Sequence, residues 1–219
     1  MDYIKLGNTN IEVSRICFGA LTIGPLQKKM PLKQGAKVMA HAFERGINFV
    51  DTAQLYLTYP YIKSAMDMSG KKDIVVATKT YAYNRKTAME SFDEARKKLN
   101  RDYIDIFMLH EQESELTLKG HSEALEYLCE LKSKGLIRAV GVSTHHIAAV
   151  SAVLKYPEID VVMPMINYKG IGIVDGKIHR MLENVKKAYK QGKGICSMKA
   201  LGDGFRICSF YCAWYAKRR

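Results

Sequence analysis

The feature that most restricts the fold is a repeated alternation of two kinds of segment. Short apolar runs lie at 15–19, 48–51, 74–79, 104–110, 139–143, 161–166 and 194–198. Between them, apolar residues recur at helical spacing, as in Ala88, Phe92, Ala95 and Leu99, or Ile178, Met181, Leu182 and Val185. Several of these stretches stop at a glycine: Gly46, Gly70, Gly135 and Gly192. Glycine suits the left-handed residue that closes a helix. Strands apolar on both faces, with helices between them, predict a parallel sheet. Seven such units in one chain favour a (β/α)₈ TIM barrel over an open doubly wound sheet. An open nucleotide-binding sheet calls for a glycine fingerprint after its first strand, and 19–24 reads Gly-Ala-Leu-Thr-Ile-Gly instead. The segments 3–6 and 11–13 flank the turn-rich Gly7-Asn8-Thr9-Asn10 and read as a β-hairpin ahead of the barrel.

Composition narrows the class. The 219 residues are 47% hydrophobic and 26% charged, which fits a globular chain and argues against disorder. No apolar run approaches the length of about 20 residues that a membrane helix needs. The start, Met1-Asp2-Tyr3-Ile4-Lys5, lacks the layout of an export signal, so a cytoplasmic location is expected. The five cysteines (17, 129, 196, 208 and 212) have no CxxC spacing, so buried thiols rather than disulfides or a metal site are expected. The net charge is +12. The basic residues are spread over many helical segments without interleaved aromatics, so nucleic acid is not the expected partner.

In a barrel of this kind, chemistry gathers at the C-terminal ends of the strands. The polar residues there are Asp51, Lys79, His110, Ser143, Thr144 and Asn167. Asp51 and Lys79 end adjacent strands and could form a buried pair, with His110 beside them. Tyr56 lies five residues past Asp51, on the loop after that strand. A phenol close to an ammonium group has its anion stabilised, so its pKa should fall from about 10. Such a tyrosine can donate a proton to a developing alkoxide. The residues by themselves therefore point to carbonyl reduction or its reverse.

The segments 46–56 (Gly-Ile-Asn-Phe-Val-Asp-Thr-Ala-Gln-Leu-Tyr), 77–79 (Ala-Thr-Lys) and 102–110 (Asp-Tyr-Ile-Asp-Ile-Phe-Met-Leu-His) occur in that order. With 135–143 and Asn167-Tyr168, they make the chain resemble the aldo-keto reductase superfamily. The resemblance implies a tetrad of Asp51, Tyr56, Lys79 and His110. Tyr56 would be the acid–base residue, Lys79 and Asp51 would tune it, and His110 would orient the substrate carbonyl. It also implies a nicotinamide cofactor, NADPH or alternatively NADH. Ser143 would lie near the carboxamide, Thr144 would be a further cofactor contact, and Asn167 would position the cofactor or its loop. Many members carry Gln where Met163 stands and an aromatic where Met198 stands, so Met198 is expected beneath the nicotinamide. The run 197–204 resembles a bacterial branch, some members of which carry an iron–sulfur module. This chain lacks the cysteine run for a cluster, so neither cluster nor metal is expected.

The barrel is expected over 1–204 and an atypical tail over 205–219. The tail does not resemble the family's eighth unit and reads as a truncation or a change of frame. The expected fold is thus an incomplete (β/α)₈ barrel of about seven units. Its first and last strands should keep open edges, which the apolar run 207–215 plugs as a strand or helix or offers to a second subunit. Self-association through those edges is the expected protein contact, and a small carbonyl compound the expected substrate. The alternative is a catalytically impaired barrel that serves as a binding or interaction protein.

Overall fold

The computed structural model describes residues 1–200 and the backbone of one further strand at 209–212. The expected boundary at Gly204 and the rest of the tail lie outside the described residues. The chain opens with an antiparallel hairpin of β1 (Tyr3–Lys5) and β2 (Glu12–Ser14), Ile4 opposite Val13. Seven parallel strands follow: β3 (Ile16–Gly19), β4 (Phe49–Asp51), β5 (Val75–Thr80), β6 (Ile104–Leu109), β7 (Ile137–Thr144), β8 (Val161–Pro164) and β9 (Gly194–Ser197). The helices are α1 (Leu32–Glu44), α2 (Tyr59–Ser69), α3 (Arg85–Leu99), α4 (Glu115–Gly120), α5 (Ser122–Ser133), α6 (Ile147–Val153) and α7 (Ile178–Lys190). The incomplete (β/α)₈ architecture with its hairpin is therefore present.

Two apolar cores hold the layers. One lies between strands and helices, where Phe43, Ile62, Phe92, Leu128 and Met181 pack on the outer faces of the sheet. The other fills the barrel with Phe49, Ile106, Met108, Met163, Met165 and Met198. Each fully buried side chain of this size contributes about 1.5–3 kcal/mol of transfer free energy. Leu6, Ile11 and Val13 of the hairpin join the inner core, so the hairpin stoppers the end of the barrel opposite the strand C-termini. Its turn is docked by Asn8 N–H, which donates to the Gly192 carbonyl at 2.7 Å. Gly7 adopts φ +60°, and a Cβ there would sit 2.3 Å from the Gly194 nitrogen. Only glycine meets both demands.

Of the alternatives expected for 207–215, a strand that plugs the gap between the first and last strands is the one found. Strand β10 (Ser209–Cys212) lies antiparallel between β3 and β9, with Phe210 opposite Cys17 and Cys212 opposite Cys196. The strand order closes into a barrel. The unpaired N–H and C=O groups of β3 and β9 are satisfied by a segment of the chain itself, as edge groups demand. Helix α4 was not legible in the sequence. It is six residues long with one buried residue, Leu118, and rests on a capping box between Ser114 and Thr117.

Candidate active site

Parallel pairing brings the strand ends together. Asp51 on β4 pairs with Ala77 on β5, and Lys79 pairs with Met108 on β6. His110 follows β6 directly, its N–H donating to the Thr80 carbonyl at 2.9 Å. Lys79 donates from Nζ to Asp51 Oδ1 at 2.6 Å and to the Thr52 carbonyl at 2.7 Å. Both partners of this ion pair are almost wholly inaccessible to water. The ammonium lies 5.0 Å from the centre of the Tyr56 ring. Tyr56 Oη stands 3.4 Å from His110 Nε2, and the two rings meet edge to face. The four tetrad residues expected from the sequence are therefore one cluster.

Burial sets the charges here. It pushes the Asp51 carboxyl up to about 6, against the pull of Lys79. Asp51 is nonetheless a carboxylate at neutral pH. Burial, with the charges of Lys79 and then His145, holds His110 down to about 3. The imidazole is neutral at any working pH, so it carries one N–H and one lone pair. Two buried atoms, Asp51 Oδ2 and His110 Nδ1, have no hydrogen-bond partner among the described residues.

The other expected residues divide. Ser143 is buried, and its Oγ accepts from Glu111 N–H at 3.0 Å, which leaves the hydroxyl proton to donate elsewhere. Thr144 is also buried, but its hydroxyl donates to the Gln112 carbonyl and accepts from His146 N–H, so it serves the adjoining turn. Asn167 spends its amide on its own loop, with Nδ2 donating to the Ile171 carbonyl and Oδ1 accepting from Ile171 N–H. Met198 is 7% exposed and packs with Met163 and Met165 in the inner core. Sequence reasoning passed over Tyr81, whose ring stacks on His110 with centroids 4.4 Å apart and whose hydroxyl donates to Glu111. The one signal in the sequence was its place two residues past Lys79, just beyond the end of β5.

Backbone strain collects at the same place. Leu57, Glu111 and Lys199 follow Tyr56, His110 and Met198, and each adopts a left-handed φ of 51–58°. Such a conformation costs a residue with a side chain about 1–2 kcal/mol. Strain of this kind persists where the surroundings over-determine it, typically at functional sites.

The residues fit a nicotinamide nucleotide. Ser143 has a hydroxyl proton not committed to the acceptors around it, and Met198, 7% exposed, brings an apolar side chain to the same rim. Among the described residues, no group of three His, Cys, Asp or Glu could hold a metal ion. No helix among them is long and apolar enough to cross a membrane.

Solved structures share this fold. A putative aldo-keto reductase from Pseudomonas aeruginosa superposes with a TM-score of 0.74 at 23% identity, over 88% of this chain and 76% of that one. The holo form of an aldo-keto reductase from Bacillus halodurans gives 0.73 at 23% identity, over 90% and 65%. At these identities the likeness concerns the fold. In sequence, the chain is 27% identical to L-galactose dehydrogenase of Arabidopsis thaliana, over 91% of this chain and 65% of that protein. It is 28% identical to the aldo-keto reductase YhdN of Bacillus subtilis, over 76% and 54%. The chain thus spans between about half and two thirds of the length of these relatives. A model of the Aldo/keto reductase family matches residues 15–207. With that match covering most of its length, the chain belongs to the aldo/keto reductase family.

Proposed function

We propose that the protein reduces an aldehyde or ketone to the alcohol with a nicotinamide nucleotide, NADPH first and NADH second, and that Tyr56 donates the proton. The single observation that carries this reading is the buried Lys79–Asp51 pair beneath the Tyr56 ring, with His110 Nε2 facing the Tyr56 hydroxyl. The nucleotide, when bound, supplies the hydride. Everything else falls to the chain. The 3.4 Å between Tyr56 Oη and His110 Nε2 exceeds an ordinary hydrogen bond between these atoms. A carbonyl oxygen can therefore sit within reach of both. Neutral His110 orients that oxygen through Nε2–H. Tyr56 gives up its proton as negative charge develops there. Lys79 stabilises the resulting phenolate, and Asp51 holds Lys79 in place and balances its charge. Ser143 would hold the carboxamide and Met198 would lie against the nicotinamide ring, with Asn167 and Thr144 shaping the adjoining loops.

Two relatives support the cofactor class by name, an NADPH-dependent alpha-keto amide reductase of Saccharomyces cerevisiae and an NADH-specific methylglyoxal reductase of Escherichia coli. The test is a fluorescence titration of the 219-residue chain with NADPH, followed by turnover of a panel of aldehydes and ketones. Saturable micromolar binding with nucleotide oxidation is expected. Tyr56→Phe should abolish turnover and leave nucleotide affinity nearly unchanged. A folded chain that ignores millimolar NADPH would reject the reading in favour of a barrel that binds a ligand or partner without catalysis.

A further inference from the structure

Gln54 sits two residues before Tyr56 on the same one-turn 3₁₀ segment (Gln54–Tyr56). Its side-chain carbonyl accepts from the Thr80 hydroxyl at 3.2 Å and from the Ser91 hydroxyl at 2.8 Å. Its amide nitrogen donates to Glu94 Oε2 at 2.7 Å. Thr80 is the residue after Lys79, and its backbone carbonyl accepts the His110 N–H. One amide group thus ties the turn that bears Tyr56 to the two strand ends that bear Lys79 and His110. Helix α3 anchors the tie, since Ser91 and Glu94 both belong to it. Partial burial works against ionisation of Glu94, yet hydrogen bonds from Lys98 and Gln54 hold its carboxyl below the ordinary range. The far side of the turn is stapled by the hydroxyls of Thr52 and Thr58, 2.6 Å apart. Between the two fastenings lies left-handed Leu57, a strained residue that would relax if either gave way.

We infer that Gln54 is a positioning residue for Tyr56, setting the phenol relative to Lys79 and His110 through Thr80, Ser91 and Glu94. The inference rests on Tyr56 being the proton donor of the proposed reaction. Its physical ground is the steep dependence of proton transfer on placement, in which a misfit of about 1 Å can cost about 100-fold in rate. No other side chain on the turn does this. Leu55 is exposed and makes no polar contact.

The test uses the whole 219-residue chain labelled with 3-fluorotyrosine, the Tyr56 resonance being assigned by its loss in Tyr56→Phe. Four variants are compared: Gln54→Leu, Gln54→Glu, Glu94→Gln, and the double exchange Gln54→Glu with Glu94→Gln. Gln54→Glu sets two carboxylates against each other. The double exchange restores one donor and one acceptor with the polarity reversed. Expected are a shifted and broadened Tyr56 signal in Gln54→Leu and Gln54→Glu, and its recovery in the double exchange. With 4-nitrobenzaldehyde and NADPH, kcat should fall about 10- to 100-fold in the single Gln54 variants and return in the exchange. Nucleotide Kd should stay within about twofold throughout. An unmoved Tyr56 signal in both single Gln54 variants overturns the inference. So does a fall in melting temperature and kcat that the exchange does not repair, since that marks a purely structural role. If the native chain proves inactive, Tyr56 loses its assigned role, while the fluorine signal still decides whether Gln54 places it.

Discussion

Lys79 Nζ and Asp51 Oδ1 are 2.6 Å apart on neighbouring strands, with 2% and 0% of their side chains exposed. Two charges so deeply buried gain little net stability from each other, because desolvation offsets most of the attraction. Removing one of them is a different matter. Lys79→Met would strand a buried carboxylate and should lower stability by about 3–5 kcal/mol, read as a drop in the urea midpoint. An unchanged midpoint would mean the pair is better solvated than its exposure indicates.

The same pair predicts an acid limb. Asp51 has its carboxyl pushed up to about 6 by burial. As pH falls through that value the carboxylate takes a proton, and Lys79 loses its counter-charge and its anchor. The rate should therefore decline as pH falls below about 6. Asp51→Asn should remove this limb and lower kcat by about 100-fold at pH 7. A profile of kcat/KM against pH checks both, and an acid limb that survives in Asp51→Asn would assign it to another group.

His110 should titrate far from the usual histidine range. Its conjugate acid is disfavoured by burial and by the nearby positive charges, which hold it down to about 3. The ring should thus stay neutral from pH 8 to below pH 5 in ¹H–¹⁵N spectra of the side chain. Tyr81 covers one face of the ring. Tyr81→Leu uncovers that face and should move the titration upward, toward about 6.5. Protonation of native His110 near pH 6.5 would contradict its assigned role as a neutral donor.

Away from the mouth, Asp105 joins three segments. Its carboxylate accepts from Arg138 at 2.8 Å, pairs with Arg101 at 3.0 Å, and accepts from Val76 N–H at 3.0 Å. Arg138 also reaches the Asn10 carbonyl on the hairpin turn. Asp105→Asn should cost about 3 kcal/mol or more and leave nucleotide affinity unchanged, as thermal melting and the NADPH titration would show together. A loss of affinity at equal stability would place Asp105 in the binding machinery instead.

The hairpin stopper can be tested at one atom. Gly7→Ala places a methyl group against the backbone of 192–194 with φ at +60°, so both strain and overlap oppose it. A loss of about 2 kcal/mol or more is expected, with faster hydrogen exchange across β1 and β2. A variant as stable as the parent would show that the hairpin packs loosely.

Much of this was legible beforehand because it follows from local periodicity. The apolar runs at 74–79 and 104–110 could be buried on both faces only in a parallel sheet, and their last polar residues, Lys79 and His110, had to meet at one end. Tyr56 was found through its spacing from Asp51. Helix α4 escaped because six residues held by Ser114 and Thr117 leave no periodic trace. Gln54 escaped because its partners Thr80, Ser91 and Glu94 are 26 to 40 residues away. Tyr81 escaped because its stacking on His110 is a contact between residues that follow two different strands.

The order of residues along the chain was enough to determine seven β/α units, a hairpin before them, and an Asp–Tyr–Lys–His set at one rim, since strand and helix periods are properties of neighbours. It could not say whether Thr144 and Asn167 face outward to a cofactor or inward to their own loops. Nor could it say that a segment at 209–212 would close the barrel antiparallel between β3 and β9. Those outcomes turn on which donors and acceptors meet in space, and hydrogen bonds reaching across the barrel leave no imprint on local sequence.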